Sequence, residues 1–263
     1  MSARAGLRLT LPLLLMLALA ASTIAFVGFQ GLDDLHYLRA AERMATGALY
    51  VPADHWEARL PYVALLAAGL RGFGETQTAL VAPGVAVLLA LLLACAALGH
   101  RILPARGALW AVAVAAATPL LLRAPTVFYP DPLEAALAVA GTALALAASD
   151  RPAAPARTAA LLAAGVLMGG ALLTRETAIA APIAVGALFL LRRRGAGWRD
   201  AIVLALGTLL PVAAETAYYA SLTGDPLFRL HLDARGATLL SDHLEGGSYS
   251  GASPLFNFTL AAR

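Results

Sequence analysis

The chain has 263 residues, of which 60% are hydrophobic and only 13% are charged. Soluble domains carry about 25% charged residues, so this composition excludes an ordinary soluble domain and is typical of a polytopic membrane protein. The net charge of +3 is small, and the basic residues are not clustered with aromatic ones, which argues against a nucleic-acid partner. The single cysteine, Cys95, lies in an apolar run and cannot form an internal disulfide.

Seven apolar runs are candidates for membrane-spanning helices, which need about 20 residues to cross a bilayer. They lie at 9–28, 79–99, 107–122, 132–149, 158–173, 177–191 and 201–221. The first run could also be a signal peptide, because Ala18-Leu19-Ala20 has a small-x-small cleavage pattern, but its length favours an uncleaved helix. A shorter run at 60–70 rises only about 16 Å as a helix, so we expect it to lie at the membrane interface.

Arginine placement predicts the orientation of this bundle, because short cytoplasmic loops are rich in basic residues. With a cytoplasmic N-terminus, ten arginines fall in short cytoplasmic segments, and eight of them would move outside if 60–70 also crossed. The sequence therefore predicts one all-α transmembrane module over 1–263 in the inner (plasma) membrane. Its long extracytoplasmic segments are 29–78 and 222–263, and the abrupt ending of the second is consistent with a truncated chain.

Acidic residues collect on the predicted extracytoplasmic face. The adjacent Asp33 and Asp34 cannot share one helix face, so one can point into a reaction cavity while the other caps a helix that begins near Leu35. Both can equally be first-turn acids that the helix dipole favours. Asp131, in Tyr129-Pro130-Asp131-Pro132, has the same two interpretations, a site acid or an N-cap before a proline.

Three arginines on this face suit an anionic headgroup, because a guanidinium holds phosphate oxygens in a fork. They are Arg59, Arg123 and Arg175. The alternative for each is that the side chain reaches up to the membrane interface from an apolar surface.

Metal ligands and buried charges are less clearly marked. Glu57, with His55 and Asp54 close by, could bind a divalent metal, although the three match no defined metal spacing. His36 belongs to no metal pattern and is expected to be a surface or packing residue. Glu215, inside the last apolar run, is expected to pair with a partner or line a cavity. Phosphate-loop, nucleophile-elbow and dinucleotide motifs are absent from the sequence, which argues against a soluble nucleotide-using site.

The order of these features resembles the GT-C superfamily of polytopic glycosyltransferases. The similar groups are the protein O-mannosyltransferases, the lipid A aminoarabinose transferases and the RgtA/B/C/D-like transferases. The stretch Gly31-Leu32-Asp33-Asp34-Leu35-His36-Tyr37 is similar to their acidic motif in the first extracytoplasmic loop, and Tyr129-Pro130-Asp131-Pro132 to their second acidic site. Arg59-Leu60-Pro61 resembles their basic-proline element, Leu173-Thr174-Arg175-Glu176 their basic turn, and Asp225-Pro226-Leu227 the segment after the last shared helix.

This resemblance implies transfer of a sugar from a polyprenyl-phosphate carrier to an acceptor hydroxyl on the extracytoplasmic face, with inversion. The implied partners are the lipid-linked donor, membrane lipids, and a lipid, glycan or protein acceptor. No cofactor is implied with certainty, and a divalent metal at Glu57 is the one candidate. The implied catalytic residues are Asp33 and Asp34, and the implied substrate-binding residues are Tyr37, Arg59, Asp131, Arg175 and Glu176.

Two other functions stay open at this point. A transporter or flippase of lipid-linked or small solutes would need ionisable residues near the membrane midplane and paired broken helices, whereas most charges here crowd one edge. An inactive, truncated relative would be compatible with the abrupt C-terminus. Both alternatives share the predicted helical membrane fold and differ only in what the polar face does.

Overall fold

The computed structural model describes residues 3–24, 33–47, 49–103, 106–123, 125–152, 154–191 and 197–235. Within these ranges the regular structure is helical and contains no β-strand, which confirms the predicted all-α class. A 3-10 turn, Glu176–Ile179, precedes α9, and residues 228–235 are also helical. The helices are α1 (Ala3–Ile24), α2 (Asp33–Ala45), α3 (Leu60–Phe73), α4 (Gln77–Ile102), α5 (Gly107–Ala116), α6 (Pro119–Leu122), α7 (Asp131–Ser149), α8 (Pro155–Thr174), α9 (Ala180–Leu191) and α10 (Gly197–Thr223).

Among the described residues, four helices are long and apolar enough to cross a membrane: α4, α7, α8 and α10. Two of the other three predicted spans, 107–122 and 177–191, correspond to shorter apolar helices, and α1 covers the described part of the run 9–28. The run 107–122 is divided into α5 and α6, because Pro119 has no N–H and disfavours helical geometry at Thr118, whose φ and ψ are −81° and 113°. The run 177–191 begins as a 3-10 turn, so its α-helical part, α9, has only 12 residues.

Helix α3 is the short apolar run that we expected not to cross the membrane. Its 14 residues rise about 21 Å, less than the hydrocarbon core of about 30 Å. The helix packs on α2 and α4, and Gly69 brings it so close to α4 that an added Cβ would overlap the carbonyl group of Ala79. Its first residue follows Arg59 directly, so the packing of α3 also positions the end of the segment 49–59 before it.

Helix α8 lies at the centre of the bundle and packs on α7 and α10. Gly165 and Gly169 face α10, where an added Cβ at Gly165 would lie 2.7 Å from the Cα of Gly207. Small residues at such positions let two helix backbones approach closely in a membrane. Buried Met168 and Leu204 complete the core around this contact.

Ion pairs join the ends of the helices in two polar regions. At one end Arg101 donates to Asp150 at 3.1 Å, and Arg157 pairs with Asp200. At the opposite end, which we call the site end, α7 begins and α8 and α10 finish. The segment 49–59, between α2 and α3, lies at the site end as well, because the hydroxyl of Tyr218 on α10 accepts from the N–H of Tyr50 at 3.1 Å and donates to its carbonyl at 2.9 Å.

Candidate active site

The two adjacent acids open helix α2. The helix begins at Asp33, two residues before the predicted start, so both carboxylates lie in the first turn where the helix dipole stabilises negative charge. Asp34 is only 2% exposed, whereas Asp33 is half-buried. The two side chains thus lie in different environments, as their adjacency predicts. Both carboxylates act electrostatically on the hydroxyl of Tyr129, which places them near the segment that leads into α7.

Tyr37 and Arg59 form one unit beside these acids. Tyr37 is 0% exposed, its hydroxyl accepts from the guanidinium of Arg59, and the guanidinium carbon lies 5.7 Å from the centre of its ring. Burial raises the pKa of Tyr37, and although the Arg59 charge opposes the shift, the phenol stays protonated at neutral pH. The hydrogen-bond partner of the Tyr37 hydroxyl is therefore Arg59. Contact of Tyr37 with substrate stays a prediction.

Asp131 and Arg175 join the start of α7 to the end of α8. The guanidinium of Arg175 donates to the Asp131 carboxylate, and its Nε lies 4.0 Å from Glu134. The hydroxyl of Thr177 donates to the same Glu134 at 2.6 Å. Pro130, not Asp131, occupies the N-cap position of α7, so the N-cap interpretation of Asp131 is wrong by one residue. Its carboxylate serves the ion pair instead.

Glu176 and Glu215 share one partner that the sequence did not suggest, Arg229. Its Nη1 donates to Glu215 at 3.0 and 3.2 Å, and its Nη2 donates to Glu176 at 2.6 Å. The predicted pairing of Glu215 is found here. Burial alone would raise the pKa of Glu176, but the hydrogen bonds from Arg229 and the backbone, together with the charges of Arg229 and Arg59, outweigh burial and hold it below its usual range. Glu176 is thus an anion at neutral pH.

The candidate metal ligands lie in the segment 49–59 and on α2. The Nδ1–H of His36 donates to Oδ2 of Asp54 at 2.6 Å, and ligand atoms of His36, Asp54 and Glu57 all lie within 4.8 Å of one another. Glu57 already accepts from Arg43 and, at 2.6 Å, from the N–H of Ala53. Imidazole and carboxylate donors fit a divalent ion, which would have to compete with Arg43 for Glu57.

The structure corrects which histidine stands beside these acids. His36, expected to be a surface or packing residue, binds Asp54, whereas His55 packs its ring against Trp56 with centroids 3.6 Å apart. His36 and Asp54 are 18 residues apart and meet only because the segment 49–59 folds back on α2. Arg123, the third candidate phosphate ligand, lies exposed in the turn after α6.

A narrow apolar cleft opens beside these polar groups, between α3, α4 and the segment 125–132. It is lined by Tyr62, Leu66, Pro83, Val87, Phe128 and Tyr129, among others. Tyr129 also interacts with the acids of α2, so the cleft and the charged cluster are neighbours. An apolar chain attached to a polar headgroup could contact both regions at once.

Fold and site together define a helical membrane protein with carboxylates and arginines gathered at one end of its bundle. Residues 60–218 match the family model of the dolichyl-phosphate-mannose-protein mannosyltransferases. The match covers more than half of the chain, which therefore belongs to this family of GT-C-type membrane glycosyltransferases. No curated protein and no solved structure gives a significant match to the chain. The matched region contains Asp131, Arg175 and Glu176, whereas Asp33 and Arg59 precede it.

Proposed function

We propose that the protein transfers a sugar from a polyprenyl-phosphate donor to an acceptor hydroxyl at the extracytoplasmic face of the inner membrane. Family membership supports glycosyl transfer in a membrane. The observation that carries the finer proposal is the gathering of one half-buried acid, Asp33, and two arginines, Arg59 and Arg175, at one end of the bundle. This combination supplies a base for the acceptor and cations for a phosphate leaving group.

The two arginines would bind the phosphate of the donor. Negative charge develops on the phosphate oxygen as its bond to the anomeric carbon breaks, and guanidinium groups already in place stabilise that charge. Each guanidinium has five N–H donors, and the contacts to Tyr37 and Asp131 engage only some of them. The remaining donors can bind phosphate without disrupting the site.

Asp33 would act as the general base. It takes the proton of the acceptor hydroxyl while the hydroxyl oxygen bonds to the anomeric carbon from the face opposite the phosphate, so the configuration inverts. Asp34 is a weaker candidate for contact with the acceptor, because it is buried at the base of the same turn. Asp131 and Glu176 carry the carboxylates that would bind sugar or acceptor hydroxyls, and a metal at Glu57 would add a further ligand for the sugar or the phosphate.

The distribution of arginines supports an extracytoplasmic site. The end of the bundle opposite the site carries arginines on short connections, as expected of a cytoplasmic surface. A lipid-linked donor agrees with the apolar side chains around Tyr129, because a prenyl chain could lie on their surface while the phosphate meets Arg59. The arginines at that opposite end are Arg101, Arg106, Arg151, Arg157 and Arg199.

The proposal is tested with purified protein in liposomes that contain a panel of radiolabelled polyprenyl-phosphate sugars and crude acceptor. Asp33→Ala should lower transfer by at least about 100-fold, the usual contribution of a general base. The matched control is Glu42→Ala, an exposed acid on the same helix, which should keep wild-type activity. Full activity of Asp33→Ala would refute the assigned role, and movement of the lipid-linked sugar across the membrane without transfer would favour a flippase.

A further inference from the structure

Arg229 lies outside the matched region and joins three parts of the site end. It belongs to the helical segment 228–235, which follows α10 after a reversal at Gly224, where φ is +75°. Left-handed geometry of this kind favours glycine. Asp225 then orders the new segment, because its Oδ1 accepts from the N–H of Leu227 at 2.9 Å. The reversal brings Arg229 back against the helix that it has just left.

The guanidinium of Arg229 binds both main-chain and side-chain oxygens. Besides Glu215 and Glu176, its Nη1 lies 3.3 Å from the carbonyl of Ala58 and 3.1 Å from the carbonyl of Leu173. The side chain of Arg229 is only 14% exposed and that of Glu215 only 5%, so this pair is shielded from water. Removing one partner of such a shielded pair would leave a buried charge, so the pair is costly to break. Its several hydrogen bonds also hold the guanidinium in one position.

The two carbonyls lie next to the proposed phosphate ligands in the chain. Ala58 precedes Arg59, and Leu173 lies two residues before Arg175. One guanidinium therefore fixes the distance between the two turns that carry these arginines. Arg59 also acts electrostatically on Glu176, and Arg229 holds that carboxylate by a direct hydrogen bond. Without Arg229, Glu176 would be available to pair with Arg59 in competition with a phosphate.

We propose that Arg229 is a positioning residue that sets the spacing of Arg59 and Arg175 for the phosphate of the lipid-linked donor. This inference rests on the proposed function. Loss of Arg229 should chiefly weaken donor binding, because Asp33 and the reacting atoms are not among its contacts. It follows that the segment after α10 takes part in donor recognition.

Two variants test the inference in different ways. The double variant Arg229→Gln, Glu215→Gln removes both members of the buried pair, so that the only carboxylate to lose its hydrogen bond from Arg229 is the exposed one of Glu176. Arg229→Lys keeps a positive charge beside Glu215, but an ammonium group cannot donate hydrogen bonds to all the oxygens that the guanidinium contacts. Either variant should raise the donor KM about tenfold and change kcat by less than about threefold. Arg235→Gln, an exposed residue of the same segment, is the matched control and should keep the wild-type KM.

A second measurement does not depend on activity. In a Cys95→Ala background, spin labels at the exposed positions Ala53 and Ile179 report the distance between the two turns by electron paramagnetic resonance. We expect a narrow distribution in the otherwise unchanged chain and a broad one in both variants. Wild-type KM together with a narrow distribution in the variants would overturn the inference. If the unchanged protein transfers no sugar, the proposed function fails, while a broadened distribution would still establish the role of Arg229 in spacing.

Discussion

The guanidinium of Arg175, just after α8, binds the carboxylate of Asp131 at the start of α7. Their side chains are 33% and 45% exposed, and exposed pairs of this kind contribute only about 0–1 kcal/mol to stability. The pair is therefore weak enough to adjust its geometry when a phosphate binds the remaining donors of Arg175. The shielded pair of Arg229 and Glu215 is expected to stay intact when substrate binds.

Replacing Arg175 by alanine should lower transfer without unfolding the protein. A hydrogen bond to a charged group is worth about 1.5–3 kcal/mol, so we expect kcat/KM for the lipid-linked donor to fall about tenfold or more. The measurement is initial transfer rate against donor concentration in liposomes. Arg39→Ala, which removes an exposed arginine of α2, is the control. An unchanged kcat/KM in Arg175→Ala would remove Arg175 from the list of phosphate ligands.

Asp34 should matter for stability and Asp33 for activity. Asp34 is buried and makes a polar interaction, so Asp34→Ala removes that interaction from a buried position and should cost about 1–3 kcal/mol. Asp33→Ala changes a half-buried side chain and should cost less. Thermal unfolding of the two variants in detergent makes the comparison. Equal losses of stability would contradict the different environments of the two acids.

Substitution of two glycines by alanine should change the stability of the bundle in opposite directions. At Gly165 an added Cβ would overlap the backbone of α10, so Gly165→Ala should destabilise the bundle by about 1–3 kcal/mol. At Gly186, on α9, nothing lies within 4 Å of an added Cβ, and Gly186→Ala should stabilise by up to about 1 kcal/mol through helix propensity. Thermal unfolding in detergent measures both. Destabilisation by both alanines to the same extent would show that close packing is not what distinguishes Gly165.

His55 should make stability depend on pH near neutrality. Burial of its ring lowers the pKa of His55 below its usual 6.5. Between that lowered value and 6.5 the unfolded chain binds more protons than the folded one, so the free energy of unfolding rises with pH through this window. This contribution of His55 to the free energy of unfolding is complete above pH 6.5 and is lost as the pH falls to the lowered pKa. The unfolding temperature of the wild type relative to His55→Gln should therefore increase as pH rises through the window, and a constant difference would contradict the shift.

Much of the fold could be predicted from apolar run length and arginine placement. The run 132–149 corresponds closely to α7, and α4 and α10 extend their predicted runs by a few residues at each end. The breaks within the runs 107–122 and 177–191 were harder to predict, because hydropathy does not register the effect of Pro119 or the 3-10 start at Glu176.

The site was predictable only where a residue lies beside a local signal. Asp33, Asp131 and Arg175 follow or precede helix boundaries that the sequence indicates. Arg229 and His36 carry no such signal, because their partners are distant in the chain: Arg229 binds Glu176 across 53 residues. Contacts of this kind depend on how turns fold back onto the bundle, which spacing along one chain does not reveal.

Helix α10 carries both Glu215 and Tyr218 near its end, so its position sets the contacts to Arg229 and to Tyr50 together. Its apolar run 201–221 rises about 32 Å, close to a hydrocarbon core of about 30 Å. In a thinner bilayer this apolar run exceeds the core, and such a helix is accommodated by tilting. We therefore expect the transfer rate to depend on the acyl-chain length of the surrounding lipids, because a change in the tilt of α10 would move Glu215 and Tyr218 together.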